Sequence, residues 1–142
     1  FDWQGTHDPT PYLCLGRCIE YLGALVEGGW PALQARNREL ALAARRLLLD
    51  ELKCPAPCPE SLLGSMASLP LPDDPLAPPD NPIAPDPVQV ALRERFKIEV
   101  PVMRWPAAPK RFLRVSAQLY NTIEQYERLA LALRSLHAEG LF

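Results

Sequence analysis

The clearest pattern of apolar and polar positions lies between residues 112 and 137, where the period changes from two to about 3.6. From Leu113 to Leu119 every second residue is apolar, which predicts a strand with one buried face. Arg114 lies on the opposite face of that strand. Apolar residues then recur at helical spacing as far as about His137, and they are Tyr126, Leu129, Ala130, Leu133 and Leu136. The segment therefore predicts a strand followed by a helix that packs on the same sheet.

Two residues can begin this helix. Asn121 has Glu124 three positions later, and Thr122 has Gln125 at the same spacing, so each fits the pattern of a capping box. In both cases Arg114 belongs to a rigid strand-to-helix unit.

The remaining elements follow from weaker patterns. A helix is predicted over 12–27 and ends at Gly28 and Gly29, and Pro31 opens a second helix that continues to about Leu52. The buried stripe of the second helix is predicted to be Leu33, Leu40, Ala44, Leu47 and Leu48. A strand near 65–71, a helix over 86–96 and a strand through Ile98, Val100 and Val102 follow. These elements predict an α+β fold, a small and mainly antiparallel sheet of about three strands with helices on one face.

Composition adds an irregular segment and excludes some partners. Residues 71–87 are so rich in proline and acidic residues that an exposed loop is expected there. The 142 residues carry a formal net charge of −2, which predicts no nucleic-acid partner. A cluster of arginines on the second helix is interpreted as its solvated face, and it consists of Arg36, Arg38, Arg45 and Arg46. No apolar run approaches the roughly 20 residues of a membrane-spanning helix, so no membrane contact is expected.

The four cysteines form two Cys-x3-Cys pairs. Zinc sites more often use a two-residue spacing, so no metal site is predicted and reduced thiols are expected. Cys14 and Cys18 fall one turn apart in a helix that is expected to be buried. Cys54 and Cys58 are therefore the pair expected to be exposed and to oxidise.

A longer motif, Arg-x-Ser-x-x-x-Tyr-Asn-Thr-x-Glu, begins at Arg114 on the predicted strand and ends at Glu124 in the predicted helix. An arginine presents a planar fork of donors that suits a carboxylate or phosphate, although a solvent-facing arginine is the simpler alternative. The motif resembles the C-terminal end of the class V aminotransferase group of pyridoxal 5'-phosphate enzymes. Its matching residues are Arg114, Ser116, Tyr120, Asn121, Thr122 and Glu124. The resemblance implies that Arg114 holds the α-carboxylate of an amino-acid substrate.

The first ten residues resemble the Gly-Thr segment of the same family, in its isopenicillin N epimerase-like branch. The resemblance implies that Thr6 contacts the cofactor phosphate of the neighbouring subunit in a homodimer. His7 stands where this branch usually has arginine. His7 and Asp8 are candidates for polar contacts near the phosphate, and building a turn is the alternative role. Segments that begin at Gly28 and Gly64 also resemble this branch.

The family binds its cofactor through a lysine in a large domain, and none of Lys53, Lys97 and Lys110 has the context of that lysine. We therefore expect residues 12–142 to form a C-terminal small domain, with 1–11 linking it to a large domain that this chain lacks. The resemblance implies that pyridoxal phosphate is bound in the full-length protein, with no catalytic lysine in this chain. The isolated chain is expected to be inactive and free of cofactor, and the parent enzyme to be cytoplasmic.

Epimerisation, transamination and β-elimination all need the same arginine, so they stay open. A desulfurase of this family would carry a nucleophilic cysteine in the loop before the arginine strand, and residues 104–111 contain none. The alternative to an enzyme is a stand-alone protein-interaction module without catalytic activity. Its anchors would be Trp3, Trp30 and Trp105, with the proline-rich loop as a docking segment.

Overall fold

The computed structural model describes residue 5, residues 8–74 and residues 85–142. The chain divides into two compact units, Phe1–Ala35 and Arg36–Phe142, which are treated separately. Within the described residues, the secondary structure comprises four α-helices and three strands. Among these helices, none combines the length and apolar composition that crossing a bilayer requires.

The first unit contains helix α1, Thr10–Gly23, and the start of helix α2, Gly29–Leu52. The prediction that α1 ends at Gly28 and Gly29 is wrong, because α1 already ends at Gly23. Both glycines have positive φ angles, and Gly29 is the first residue of α2. The ring of Trp30 packs against the end of α1. The indole Nε1 of Trp30 donates a hydrogen bond to the Ile19 carbonyl at 3.2 Å, and a Cβ on Gly23 would lie 2.9 Å from the ring.

The expected burial of α1 is also wrong, because the structure shows none of its residues as buried. Cys14 and Cys18 are exposed, whereas Cys54 and Cys58 are partly buried. Burial raises the pKa of the Cys54 thiol, which disfavours the reactive thiolate. The predicted ranking of the two cysteine pairs by exposure is therefore reversed.

The second unit contains the sheet. Its strands are β1 (Met66–Leu71), β2 (Val102–Arg104) and β3 (Arg111–Ser116), in the order β1-β3-β2 with both pairings antiparallel. Helix α3 (Pro87–Ala91) continues as a π-helical turn over Leu92–Phe96, and helix α4 is Ile123–Ala138. This arrangement confirms the predicted α+β class with its small antiparallel sheet.

The two faces of the sheet differ in burial. Ala67 pairs with Val115 and Leu69 with Leu113, and all four side chains are buried in the core. The apolar stripe predicted for α4 is buried against them, namely Tyr126, Leu129, Ala130, Leu133 and Leu136. The other side of the sheet, here called the open face, carries Met66, Ser68, Pro70, Met103, Phe112, Arg114 and Ser116.

Some predicted boundaries need correction. The strand expected through Ile98 and Val100 pairs only from Val102 onward, because the preceding residues pack irregularly against the core. The proline-rich loop is shorter than 71–87, since Leu71 still belongs to β1 and Pro87 begins α3. Residues 75–84 of this loop lie outside the described residues.

The predicted solvated face of α2 is correct for Arg36 and Arg46, which are exposed, and wrong for Arg38 and Arg45. Arg45 is buried and donates a hydrogen bond to the Cys58 carbonyl. Arg38 donates to the carbonyls of Leu63 and Glu60, each at 3.0 Å. Arg38 and Arg45 therefore hold the segment that connects α2 to β1, because their guanidinium groups donate to its carbonyl oxygens.

A second buried arginine lies at the start of β3. The Nη1 of Arg111 is 3.0 and 2.9 Å from the two carboxylate oxygens of Asp86, and its Nε donates to the Pro72 carbonyl at 2.8 Å. Asp86 also caps α3 by accepting a hydrogen bond from Val88 N at 2.9 Å. Arg111 therefore joins β3, the end of β1 and the start of α3. Sequence analysis missed this pair, although Arg111 has the same parity as the buried Leu113.

Candidate functional site

Arg114 lies near the centre of the open face. Its backbone N–H donates to the Pro101 carbonyl at 3.0 Å, so its peptide groups point away from β1. Its partner on β1 is Ser68, which also has an exposed side chain. In an antiparallel ladder this orientation makes Ser68 and Arg114 a non-hydrogen-bonded pair, the kind in which Cα atoms are about 4.5 Å apart and side chains are closest. This geometry confirms the prediction that Arg114 lies on the face of the strand opposite the core, which is the open face.

The Arg114 guanidinium is unpaired within the described part of the chain, where no residue accepts a hydrogen bond from it or forms an ion pair with it. Arg36 is likewise exposed and without a partner among the described residues, but several other arginines of this unit are engaged, as Arg46 is with Glu60 and Arg95 with Glu139. An exposed guanidinium with five free donors on a rigid strand is available to bind an anion.

A cavity of about 390 Å³ adjoins Arg114. One wall is the segment from Lys97 to Pro101, and the other is the start of α4. Its charged lining residues are Lys97, Glu99, Arg114 and Arg128. With three cations and one carboxylate, the cavity favours a negatively charged ligand.

Hydrogen bonds fix the shape of this cavity. The Tyr126 hydroxyl donates to the Ser116 carbonyl at 2.7 Å, and burial raises the pKa of this phenol above its usual 10.0. Arg128 donates to the Phe96 carbonyl at 2.6 Å, while Lys97 donates to the Glu94 carbonyl at 2.8 Å. Tyr126 therefore remains a neutral hydrogen-bond donor, and the two cations are held by backbone oxygens.

The polar residues after Arg114 build the turn into α4. Asn121 Oδ1 accepts from Gln118 N at 2.9 Å, and Gln125 Oε1 accepts from Thr122 N at 3.2 Å. Thr122 is the N-cap, which decides between the two candidates. A hydrogen bond from Thr122 lowers the pKa of Glu124, so its negative charge is retained at the helix N-terminus. Most of the motif supports the connection, and Arg114 is its free charged group.

Sequence comparisons show which known proteins this chain resembles. No protein-family model matches the chain. Isopenicillin N epimerase of Streptomyces clavuligerus is 38% identical over 138 residues, which are 96% of this chain and 31% of the relative. The chain matches a C-terminal part of isopenicillin N epimerases. The isopenicillin N epimerase of Amycolatopsis lactamdurans is 35% identical over 94% of the chain.

The same part matches a protein with another printed activity. A probable chloroplastic L-cysteine desulfhydrase of Arabidopsis thaliana is 27% identical over 97% of this chain and 30% of the relative. The chain thus spans about a third of the length of its isopenicillin N epimerase and desulfhydrase relatives. These matches confirm the resemblance to class V aminotransferase-like enzymes that the motif indicated.

The segment with the other predicted site residues is only partly described. Thr6 and His7 lie outside the described residues. Asp8 accepts a hydrogen bond from Thr10 N at 3.0 Å, and hydrogen bonding to Thr10 lowers its pKa. This bond occurs at the start of α1 and supports the turn-building role of Asp8.

The structure describes all three lysines, and each is exposed. Lys53 pairs with Asp50 at 3.1 Å, and Lys110 lies 3.5 Å from Asp73. Lys97 lines the cavity, but its amine donates to a carbonyl oxygen of the neighbouring turn. The described residues contain no cluster of histidine, cysteine and acidic groups that could hold a metal.

Proposed function

We propose that this chain is the C-terminal portion of a pyridoxal phosphate-dependent amino-acid enzyme that resembles isopenicillin N epimerase. In this proposal Arg114 binds the α-carboxylate of the substrate. The observation that carries it is the unpaired guanidinium near the centre of the open face. Arg36 is unpaired as well, but only Arg114 also lies on a strand at the edge of the cavity, whereas exposed arginines such as Arg95 pair with an acid.

The surroundings of Arg114 suit binding beneath a second domain. Apolar groups border it on the open face, including Met66, Pro70 and Phe112. Covering this face would remove water and strengthen a guanidinium–carboxylate contact, because the local dielectric would fall. We propose that the rest of the longer protein covers the open face, since the relatives extend well beyond the matched part.

We propose that pyridoxal phosphate is held mainly by the rest of the longer protein, because each of the three lysines of this chain is exposed. When bound, this cofactor acts as an electron sink for bonds at the substrate α-carbon. The contribution of Arg114 is to fix the carboxylate and hence the orientation of the α-carbon. Contact of Thr6 with the cofactor phosphate across a homodimer, with His7 and Asp8 nearby, stays a proposal. So does inactivity of the isolated chain.

The reaction is proposed only as a class. One relative is named for epimerisation of isopenicillin N and another for desulfhydration of L-cysteine, and we propose a substrate that carries an α-amino-acid group. A cytoplasmic enzyme is proposed because all four cysteines are free thiols, which suits a reducing compartment. The stand-alone module is not favoured, because Trp30 is engaged within its own unit and the enzyme relatives match nearly the whole chain.

The decisive experiment uses Arg114→Ala in the longer protein loaded with pyridoxal phosphate. Spectral titration with L-alanine, L-cysteine and isopenicillin N measures binding through the change in cofactor absorbance. We expect the dissociation constant of the bound amino acid to rise about 100-fold, since a charge-assisted contact of about 3 kcal/mol is lost. Cofactor absorbance before addition should be unchanged.

Arg93→Ala is the matched control, because Arg93 is an exposed arginine outside the cavity lining. It should bind the amino acid as the parent protein does. Equal affinity of the Arg114→Ala protein and the parent for every amino acid that binds would remove Arg114 from the site.

A further inference from the structure

We propose that Ser68 is a second contact for the substrate carboxylate held by Arg114. This inference rests on the proposed function and extends it to a residue outside the motif that marks the arginine. The supporting feature is the cross-strand pairing of Ser68 with Arg114 on the open face.

The ladder geometry brings the two side chains together. Ala117 N donates to the Ser65 carbonyl at 2.8 Å, whereas Arg114 N donates to the Pro101 carbonyl on the other side of β3. Alternate residues of β3 therefore direct their backbone N–H and C=O groups toward β1. Those of Arg114 point the other way, toward β2. Directly opposite side chains at such a position have Cβ atoms about 4.5–5.5 Å apart. A carboxylate bound to the Arg114 fork is then within reach of a short side chain at position 68.

The Ser68 hydroxyl can donate a hydrogen bond to a carboxylate oxygen that Arg114 leaves without a donor. A carboxylate has two oxygens with about four acceptor positions, and an arginine fork occupies only some of them. The Ser68 hydroxyl supplies a neutral donor without adding charge. Within the described chain no residue forms a hydrogen bond with this hydroxyl, so the donor is available.

Its strand position does not require serine. The burial pattern of β1 leaves Ser68 exposed between the buried Ala67 and Leu69. A β-branched residue would suit such an exposed strand position better than serine. A small hydroxyl leaves room above the Arg114 side chain for a ligand, which a longer side chain would fill.

The test compares Ser68→Ala with Ser68→Thr in the cofactor-loaded longer protein. Loss of the hydroxyl should raise both KM and the spectral dissociation constant of the amino acid about tenfold. The value of kcat should change less than about twofold, because the contact is present in ground and transition states alike. The threonine variant keeps the donor and should stay within about threefold of the parent protein.

Ser61→Ala is the matched control, since Ser61 is an exposed serine in the short turn Glu60–Leu62. It should leave KM unchanged. A KM for Ser68→Ala equal to that of the control would overturn the inference, and so would an equal loss in the alanine and threonine variants.

A double mutant separates this inference from the proposed function. If both residues bind the same carboxylate, Ser68→Ala should weaken binding less than about twofold once Arg114 is alanine. A full tenfold effect in that background would place Ser68 in another role. If Arg114→Ala alone has no effect, the proposed function fails. If only Arg114→Ala has an effect, the proposed function stands and the Ser68 contact fails.

Discussion

Arg111 and Arg114 lie three residues apart on one strand and have opposite environments. The Arg111 side chain is 2% exposed and is paired with the carboxylate of Asp86. Arg114 is exposed, and none of the described residues pairs with its guanidinium. Because successive side chains alternate between faces, an odd separation places the two cations on opposite sides of the sheet.

The two environments show that the role of an arginine depends on the partners within its reach. Arg111 uses its donors within the fold, including one to the Pro72 carbonyl, and this arrangement serves stability. Arg114 keeps its donors available, which suits the binding role that we propose for it. Substitutions of the two residues should therefore differ in what they change.

The largest effect is expected for Arg111→Ala. It leaves the Asp86 carboxylate buried without its main counter-charge, so the free energy of unfolding should fall by about 3–5 kcal/mol. Urea denaturation of the chain measures this change. Arg114→Ala should change stability by about 0.5 kcal/mol or less. Equal losses in the two variants would show that Arg114 is also structural.

Asp86→Asn examines the other partner of the buried pair. Asparagine keeps the cap of α3, so mainly the charge is lost, and Asp74 remains 3.8 Å from Arg111. We expect a loss of about 2 kcal/mol in the free energy of unfolding. Asp86→Ala should lose about 1 kcal/mol more, because it also removes the cap. Identical losses in the two variants would show that the cap contributes nothing.

Tyr126→Phe affects the support of Arg114's strand. It removes the hydrogen bond to the Ser116 carbonyl and should lower stability at pH 7 by about 1 kcal/mol. The raised pKa of Tyr126 also predicts stability that is present below pH 10 and lost as pH rises through the folded-state pKa. Chemical denaturation at pH 8 and pH 11 should show a smaller alkaline loss in the variant than in the parent. An unchanged alkaline loss would assign it to other groups.

The smallest effect is expected from the exposed ion pairs. Hydrogen bonds from Arg46 and Arg95 lower the pKa values of Glu60 and Glu139 below the usual 4.5. Their stabilisation is present above pH 4.5 and is lost as pH falls through the folded-state values. Solvent screening keeps this contribution small. Thermal unfolding of Glu139→Gln between pH 3 and pH 7 should show a slightly weaker acid dependence than the parent protein, and an identical dependence would contradict this assignment.

Sequence patterns predicted the parts of the fold that depend on local order. The alternation around Arg114 and the helical stripe from Tyr126 to Leu136 were confirmed, because each extends over enough residues to define one period. The exposed position of Arg114 followed from the same alternation. The short strand β2 was misplaced, since Ile98 and Val100 alternate without pairing.

The burial of charged residues depended on distant partners and was not predicted. Arg45 binds a carbonyl in an irregular segment 13 positions away, and nothing in its helical pattern indicates that contact. The burial of Arg111 could have been predicted, because Arg111 and Leu113 are two positions apart on the strand and therefore lie on the same face, toward the core. The pairing of Ser68 with Arg114 required the strand register, which hydrophobic periodicity alone does not determine.

Pro70 has a consequence for how this sheet avoids aggregation. Its pair with Phe112 lies two positions along the ladder from the Ser68–Arg114 pair, so the backbone nitrogen of residue 70 faces away from β3. A proline there removes a donor from the outer edge of β1, where another chain could otherwise add a strand. The β1 edge thus resists the addition of a strand from a neighbouring chain.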